Sequence, residues 1–315
     1  MIDADLIERA VEVRRHLHRH PELSNAEVET QAFIRSELMQ MGLTEPSRAA
    51  GTGLVVDVVG TAGPSNRKVA VRADIDALPI TEDSEFAFSS SRPGVMHACG
   101  HDAHTAMVLA AAAGLYRSRS KFRGTVRLIF QPAEEAEPLG GRRIVEEGLL
   151  DDVDAAIGIH VDPYLETGKI AVASGSYTLA ADGFDIEVRG IAAHAAKPHE
   201  GVDGIAIGCA IVTEIQKIVS RETDALAPLI ISVTSFSGGG SYNIIADRVH
   251  IKGTVRSGND KVRAMAHARL EEIVSNMARL HRGQANLYLI KGEPPVENDA
   301  EMVAFVEAAA RQVCG

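Results

Sequence analysis

Residues 124–135 read GTVRLIFQPAEE. A β-rich run from Gly124 to Phe130 is broken by Pro132, which has no N–H to give to a strand ladder. Glu134 and Glu135 stand just past its C-terminal end. Ligands of open α/β folds collect at such strand ends, so this stretch predicts a fold and a place for chemistry together. Adjacent carboxylates point in different directions. One can ligate a metal ion while its neighbour handles the proton of a metal-bound water, whose pKa the ion lowers toward ~7. Taken alone, the pair reads more readily as a solvated acidic turn.

Working outward, three similar β-rich runs lie at 53–59 (GLVVDVV), 68–73 (KVAVRA) and 154–160 (DAAIGIH). Helical patterns fill the intervals. Leu6, Ala10, Val13 and Leu17 share one face over 3–20, with Pro21 as the stop; 25–41 ends at Gly42; further helices fit 102–118 and 139–148. This alternation predicts an α/β domain with a mixed, mostly parallel sheet flanked by helices.

From about residue 180 the period changes. Phe184, Ile186 and Val188 alternate with Asp185, Glu187 and Arg189, a strand with one wet face. A helix (203–220), two strands (229–236 and 247–256), a helix (260–281) and a strand (285–291) follow. The βαββαβ order predicts a small ferredoxin-like domain. In its second helix Val262, Met265, Leu270, Ile273, Met277 and Leu280 share a face, read as a sheet-facing stripe rather than a heptad interface. Pro294 and Pro295 open a last segment with a helix from Asn298 to Val313. The predicted division is 1–178, 179–291 and 292–315.

The densest chemical signal is MHACGHDAH at 96–104, which holds three of the chain's 12 histidines. Cys99 and His101 flank a glycine that permits a tight turn, so both can reach one metal ion. A helix starting at Asp102 is expected to keep His101 neutral and Cys99 ionised. His160-Val161-Asp162-Pro163 repeats the pattern of a metal-type residue at a strand end, and RADIDALPI (72–80) places Asp74 and Asp76 on one side, suited to orienting a ligand. Singly these are weak; four strand ends that each deliver metal-type residues are a strong combined signal.

Composition narrows the function classes. The chain has 315 residues with 45% apolar and 24% charged, a normal globular balance. Lys and Arg number 32 against 43 Asp and Glu, a formal charge of −11, which argues against nucleic-acid or anionic-membrane binding. Three Cys suit a reducing cytosol rather than a disulfide framework, and no signal peptide or membrane span is read, so a cytoplasmic location is expected. The Gly-rich SGGGSYNII (237–245) lacks the Lys-Ser/Thr of a phosphate loop.

Together HRHPELS (18–24), RADIDALPI, GVMHACGHDAH (94–104), FQPAEE (130–135), GIHVDP (158–163) and AHAAKPH (193–199) resemble the N-acyl-amino-acid amidohydrolases. These are the hippurate-hydrolase and auxin-conjugate-hydrolase branch of the dinuclear aminoacylase and carboxypeptidase metallohydrolases. The resemblance spans essentially the whole chain, in the family's order and spacing. It implies two divalent ions (zinc, manganese, cobalt or nickel) in a catalytic domain and an inserted smaller domain that forms a homodimer. It implies that Cys99, His101, Glu135 and His160 are metal ligands and that Glu134 is the general base and proton shuttle. It further implies that His194 stabilises the developing oxyanion, and that Asn243 and Arg256 bind the substrate's carboxylate end. Arg256 is also a chemically sensible bidentate partner for a carboxylate.

Three departures from the family pattern stand out. Ala246 replaces a usual proline, AEPLGGRR (136–143) has fewer glycines, and a C-terminal segment carrying a further metal-ligating histidine is not found before Gly315. The expectation is hydrolysis of N-acyl amino acids, with metal occupancy partial or absent if that segment is missing. The alternatives are a dipeptidase or N-acyl-diaminopimelate deacetylase, or a truncated, catalytically impaired dimerising protein.

Overall fold

The computed structural model describes residues 3–314, which divide into two compact units between Lys169 and Ile170. The first unit contains α1 (Ala4–Arg19), α2 (Val28–Gln40), β1 (Ser47–Ala49), β2 (Gly53–Val59), β3 (Lys68–Asp74), α3 (His101–Arg117), β4 (Thr125–Gln131), α4 (Gly140–Glu146) and β5 (Ala155–Gly158). Its five strands form one sheet in the order β1-β2-β4-β3-β5.

The sheet is mixed, and the connections say why. β3 reaches β4 through α3, and the neighbouring β5 follows α4, so β4, β3 and β5 run parallel. No helix separates β1 from β2, and that pair is antiparallel, as is β2 with β4. Parallel neighbours need a long crossover; a short link gives reversal. β1 was not legible in the sequence, since its three residues carry too little pattern.

One sheet face buries Leu54, Val56, Val58, Leu128 and Phe130 against Val13 and Leu17 of α1, Ile34 and Leu38 of α2, and Leu109 of α3. The other face packs Val55, Ala70 and Ile129 against Ile144 of α4. Both faces are covered, which is why these strands read as near-continuous apolar runs. The C-terminal ends of β3, β4 and β5 lead to Asp74, Glu134, Glu135 and His160.

The second unit contains β6 (Gly175–Ser176), β7 (Ala180–Arg189), α5 (Gly204–Lys217), β8 (Leu229–Gly238), β9 (Arg248–Ser257), α6 (Asp260–Leu280), β10 (Gln284–Ile290), β11 (Glu297–Asn298) and α7 (Ala300–Cys314). The antiparallel order β10-β7-β9-β8 with α5 and α6 is the expected ferredoxin-like arrangement. Phe184, Ile186 and Val188 pack on Ile207, Ile211 and Ile215 of α5 and on Leu270, Ile273 and Val274 of α6. The α6 stripe faces the core as read, with Val262, Met265 and Met277 packed at its margin and only Leu280 outside it. Leu270 and Ile273 are buried, Ala266, Val274 and Ala278 join them, and Leu280 is exposed at the last turn. Helix 203–220 is also shorter than expected, passing into a π-helical turn at Ile218–Glu222. The short β6–β11 pair joins the segments that enter and leave this sheet. Among the described residues no helix is long and apolar enough to cross a membrane.

Candidate metal centre

The register sets β3 and β4 side by side, with Asp74 opposite Gln131, and sets Arg72 of β3 opposite Gly158 of β5. The chain leaving β3 therefore carries Asp74 and Asp76 past the end of β4, beside the Pro132–Glu135 loop. That loop is held by a carboxylate from far away in sequence. Ala133 has a positive φ of 46°, its N–H donates to Glu27 Oε1 at 2.7 Å, and Thr52 Oγ1 donates to Glu27 Oε2. Glu27 is fully buried, so the contact fixes the loop against the sheet.

Gly100 turns the chain between Cys99 and His101 at φ 83°, and a Cβ there would lie 2.3 Å from Val161 Cγ2. Glycine is required on both counts. α3 starts at His101 rather than Asp102, placing His101 in the first helical turn. His160 lies two residues beyond β5 rather than at its last position.

Three groups of possible ligand atoms converge, the atoms of each lying within 4.8 Å of one another: Cys99 with His101 and His160, His101 with Glu134 and Glu135, and Asp74 with His101 and His104. Cys99 Sγ is 3.4 Å from His160 Nε2. His101 Nδ1 is 3.2 Å from Asp76 Oδ1, while its Nε2 is buried and has no hydrogen-bond partner. That nitrogen faces Asp74 Oδ2 at 3.5 Å and Glu135 Oε1 at 3.8 Å. A buried, unpartnered nitrogen costs free energy unless something occupies its lone pair. Thiol, imidazole and carboxylate together suit first-row transition ions. The residues present fit a metal centre.

Asp76 does more than face the cluster. Its Oδ2 accepts from Ser24 Oγ at 2.7 Å and from the Glu135 backbone N–H at 3.0 Å, so one carboxylate orients His101 and the Glu135 loop. Beneath the cluster, His18 Nδ1 is 2.9 Å from Asp102 Oδ2 and its Nε2 is 3.2 Å from Glu82 Oε1. The HRHPELS segment thus supports the site rather than lining it, a role its sequence did not announce.

Electrostatics follow from these contacts. Burial would raise the Asp74 carboxyl, but the His104 hydrogen bond and the charges of Arg72 and His101 hold it well below the usual range. The neighbouring His101 and His160 imidazoles lower the Cys99 thiol against its burial, as expected. His101 behaves oppositely to expectation. Burial opposes its charge, yet Asp76, Cys99 and Asp74 push it up to about 11. The adjacent carboxylates outweigh a helix end, whose partial charge is only about half a unit. His160 is pushed up to about 9, first by Cys99. Desolvation and the neighbouring Glu135 charge raise Glu134.

In the second unit, His194 and Asn243 come together. Ala195 N–H donates to the Asn243 carbonyl, and Ile245 N–H to the Ala193 carbonyl, both at 2.9 Å. Both side chains belong to exposed residues, and His194 Nδ1 accepts from Ala196 N–H at 3.1 Å. Arg256 is not with them. It lies near the far end of β9, about 25 Å along the strand from Arg248, and its guanidinium donates to the carbonyls of Asp182 and Val255.

Known proteins bear directly on this arrangement. The family model described as peptidase family M20/M25/M40 matches residues 70–315. The chain belongs to that family. This M20-family chain is 43% identical over 285 residues to an N-acyl-L-amino acid amidohydrolase of Geobacillus stearothermophilus, covering 90% of the chain and 76% of the relative. It is 39% identical over 308 residues to an N-acetyl-L-cysteine deacetylase of Bacillus subtilis, covering 98% and 73%. Its structure superposes with a TM-score of 0.86 on a Bacillus subtilis protein described as a dinuclear metal binding peptidase of the M20 family. That match has 34% identity and covers 99% of this chain and 81% of the other. The family and its hydrolase class are those that the motifs announced.

Proposed function

We propose that this M20-family chain is a metal-dependent amidohydrolase that splits N-acyl amino acids into an amino acid and a carboxylic acid. The carrying observation is the unpartnered, buried His101 Nε2, with Cys99 and His160 on one side and Glu134 and Glu135 on the other. The printed activities of the relatives support the substrate class. Cys99, His101, Glu135 and His160 would hold two ions, drawn from zinc, manganese, cobalt and nickel. When bound, such ions polarise an amide carbonyl and acidify water.

The chain's own groups supply the rest. Glu134, with its raised proton affinity, takes a proton from the attacking water at its carboxylate and returns it to the leaving amine nitrogen as the C–N bond breaks. His194 has Nδ1 engaged by Ala196 N–H, which leaves Nε2 to hydrogen-bond the carbonyl oxygen as it gains charge. Asn243, beside His194, binds the substrate carboxylate; Arg256, at the other end of β9, does not share that position in this chain. Asp74 and Asp76 orient the cluster from behind. In this reading 1–178 is the catalytic part, 179–291 an inserted domain that forms a cytoplasmic homodimer, and 292–315 a return to the catalytic part.

The test is Glu134→Ala, assayed on hippurate and N-acetyl amino acids beside metal analysis. Turnover falls at least ~100-fold, the low end for a general base, while ion content stays within error of wild type. Unchanged turnover removes Glu134 from the role. Chelator-resistant hydrolysis by the wild-type chain overturns the metal-dependent reading.

A further inference from the structure

His104 lies among the candidate ligands, yet both its ring nitrogens are already used. Nε2 accepts from the Val161 backbone N–H at 2.9 Å. An accepting Nε2 carries no proton, so the ring proton is on Nδ1, which lies 2.6 Å from Asp74 Oδ1 and donates to it. His104 and Asp74 are each 1% exposed, so neither bond is shared with solvent. Arg72 donates to Asp74 Oδ2 at 2.6 Å and Thr105 Oγ1 donates to the Asp74 carbonyl, which anchors the acceptor end to β3.

The other end of the contact is the residue after His160. His160 Nδ1 lies 2.6 Å from the Val161 carbonyl oxygen and donates to it. That bond leaves His160 Nε2 as the atom turned toward Cys99. The His104 and His160 rings also touch, with centroids 4.5 Å apart at 60°. One residue, Val161, is therefore gripped through its N–H by His104 and through its carbonyl by His160. Residues 159–163 lie beyond the last paired position of β5, so the sheet ladder does not fix this segment.

We infer that His104 is a positioning residue that sets the rotamer and tautomer of His160 through the Val161 backbone, with Asp74 as its fixed anchor. It is not a third ligand of a metal ion at Asp74 and His101, because neither nitrogen is free. The inference rests on His160 being a metal ligand. Groups that orient a ligating histidine typically change metal affinity roughly 10–100-fold when removed.

The experiment is a cobalt(II) titration of metal-free wild type, His104→Ala, His104→Gln and His104→Asn. It is followed by the cysteine-thiolate-to-cobalt absorption band, with thermal unfolding of each metal-free form alongside. A glutamine oxygen can reach the place of Nε2 and accept from Val161 N–H; an asparagine reaches only the place of Nδ1. His104→Ala binds cobalt roughly 10–100-fold more weakly, His104→Gln recovers most of the loss, and His104→Asn does not. Wild-type affinity in His104→Ala, or equal affinity in the Gln and Asn variants, overturns the inference and leaves the metal site standing. If His104→Ala does not fold, the Gln and Asn pair still decides. A wild-type chain with no thiolate band removes the metal site, and the inference with it.

Discussion

Single atoms decide most of what happens at the strand ends. Gly100 shows how tightly. Its positive φ and the 2.3 Å that a Cβ would leave to Val161 Cγ2 mean that Gly100→Ala must push the His160 segment away or untwist the first turn of α3. Either outcome separates Cys99 from His160. Gly100→Ala is expected to weaken cobalt binding at least ~10-fold, as loss of ligand orientation does, with unfolding shifted by only a few degrees; unchanged cobalt affinity would count against the convergence described above.

His18 supplies a pH-dependent contribution from outside the ligand set. Its hydrogen bond to Asp102, then that to Glu82, raise its pKa above 6.5 against burial; Arg14 and the His97 ring are the other polar groups nearby. A raised folded-state value means that the stabilisation is complete below pH 6.5 and fades as pH rises through the folded-state pKa. The gap in melting temperature between wild type and His18→Gln should therefore be widest near pH 6 and narrow toward pH 9. A gap that widens with pH contradicts the assignment.

At the scale of elements, β7 carries a polar group where its pattern calls for an apolar one. Asp182 is in phase with Phe184, Ile186 and Val188 and is 2% exposed. Arg263 and His267 of α6 and the Gly292 N–H all donate to its carboxylate, and Arg263 also donates to the Gly292 carbonyl. The carboxylate thus ties the first strand of the ferredoxin-like sheet to α6 and to the chain leaving β10. Asp182→Ala removes the buried carboxylate that the mostly buried Arg263 guanidinium pairs with, an expected loss of about 3 kcal/mol. Chemical denaturation measures it, and Asp182→Asn should recover only part, because an amide cannot match the charge. A loss below about 1 kcal/mol would place this cluster with ordinary surface pairs.

For the whole molecule, the net charge of −11 leaves the charge of an anionic substrate to be handled locally. The homodimer proposed for the second unit gives a direct measurement. Sedimentation equilibrium should return twice the chain mass at micromolar protein, while a single-chain mass across that range removes the dimer. Metal removal belongs at this scale too. Because binding stabilises only the folded state, melting temperature should fall on exhaustive chelation and recover with cobalt; no change indicates that the folded chain holds no ion under those conditions.

Sequence alone determined the two sheet architectures. Burial on both faces writes continuous apolar runs, and burial on one face writes strict alternation, so GLVVDVV and the Phe184–Arg189 stretch declared their layers. It also brought forward Cys99, His101, Glu134, Glu135 and His160, because metal chemistry needs particular donor atoms; Glu134, Glu135 and His160 follow strands, while Cys99 and His101 stand at the start of α3. It could not read three-residue β1, the exposure of Leu280 at the end of α6 or the buried role of Asp182, which depend on partners distant in the chain. Nor could it separate His104 from the ligands around it. A histidine's role is set by what each ring nitrogen meets, and only the fold brought Asp74 to one and the Val161 N–H to the other.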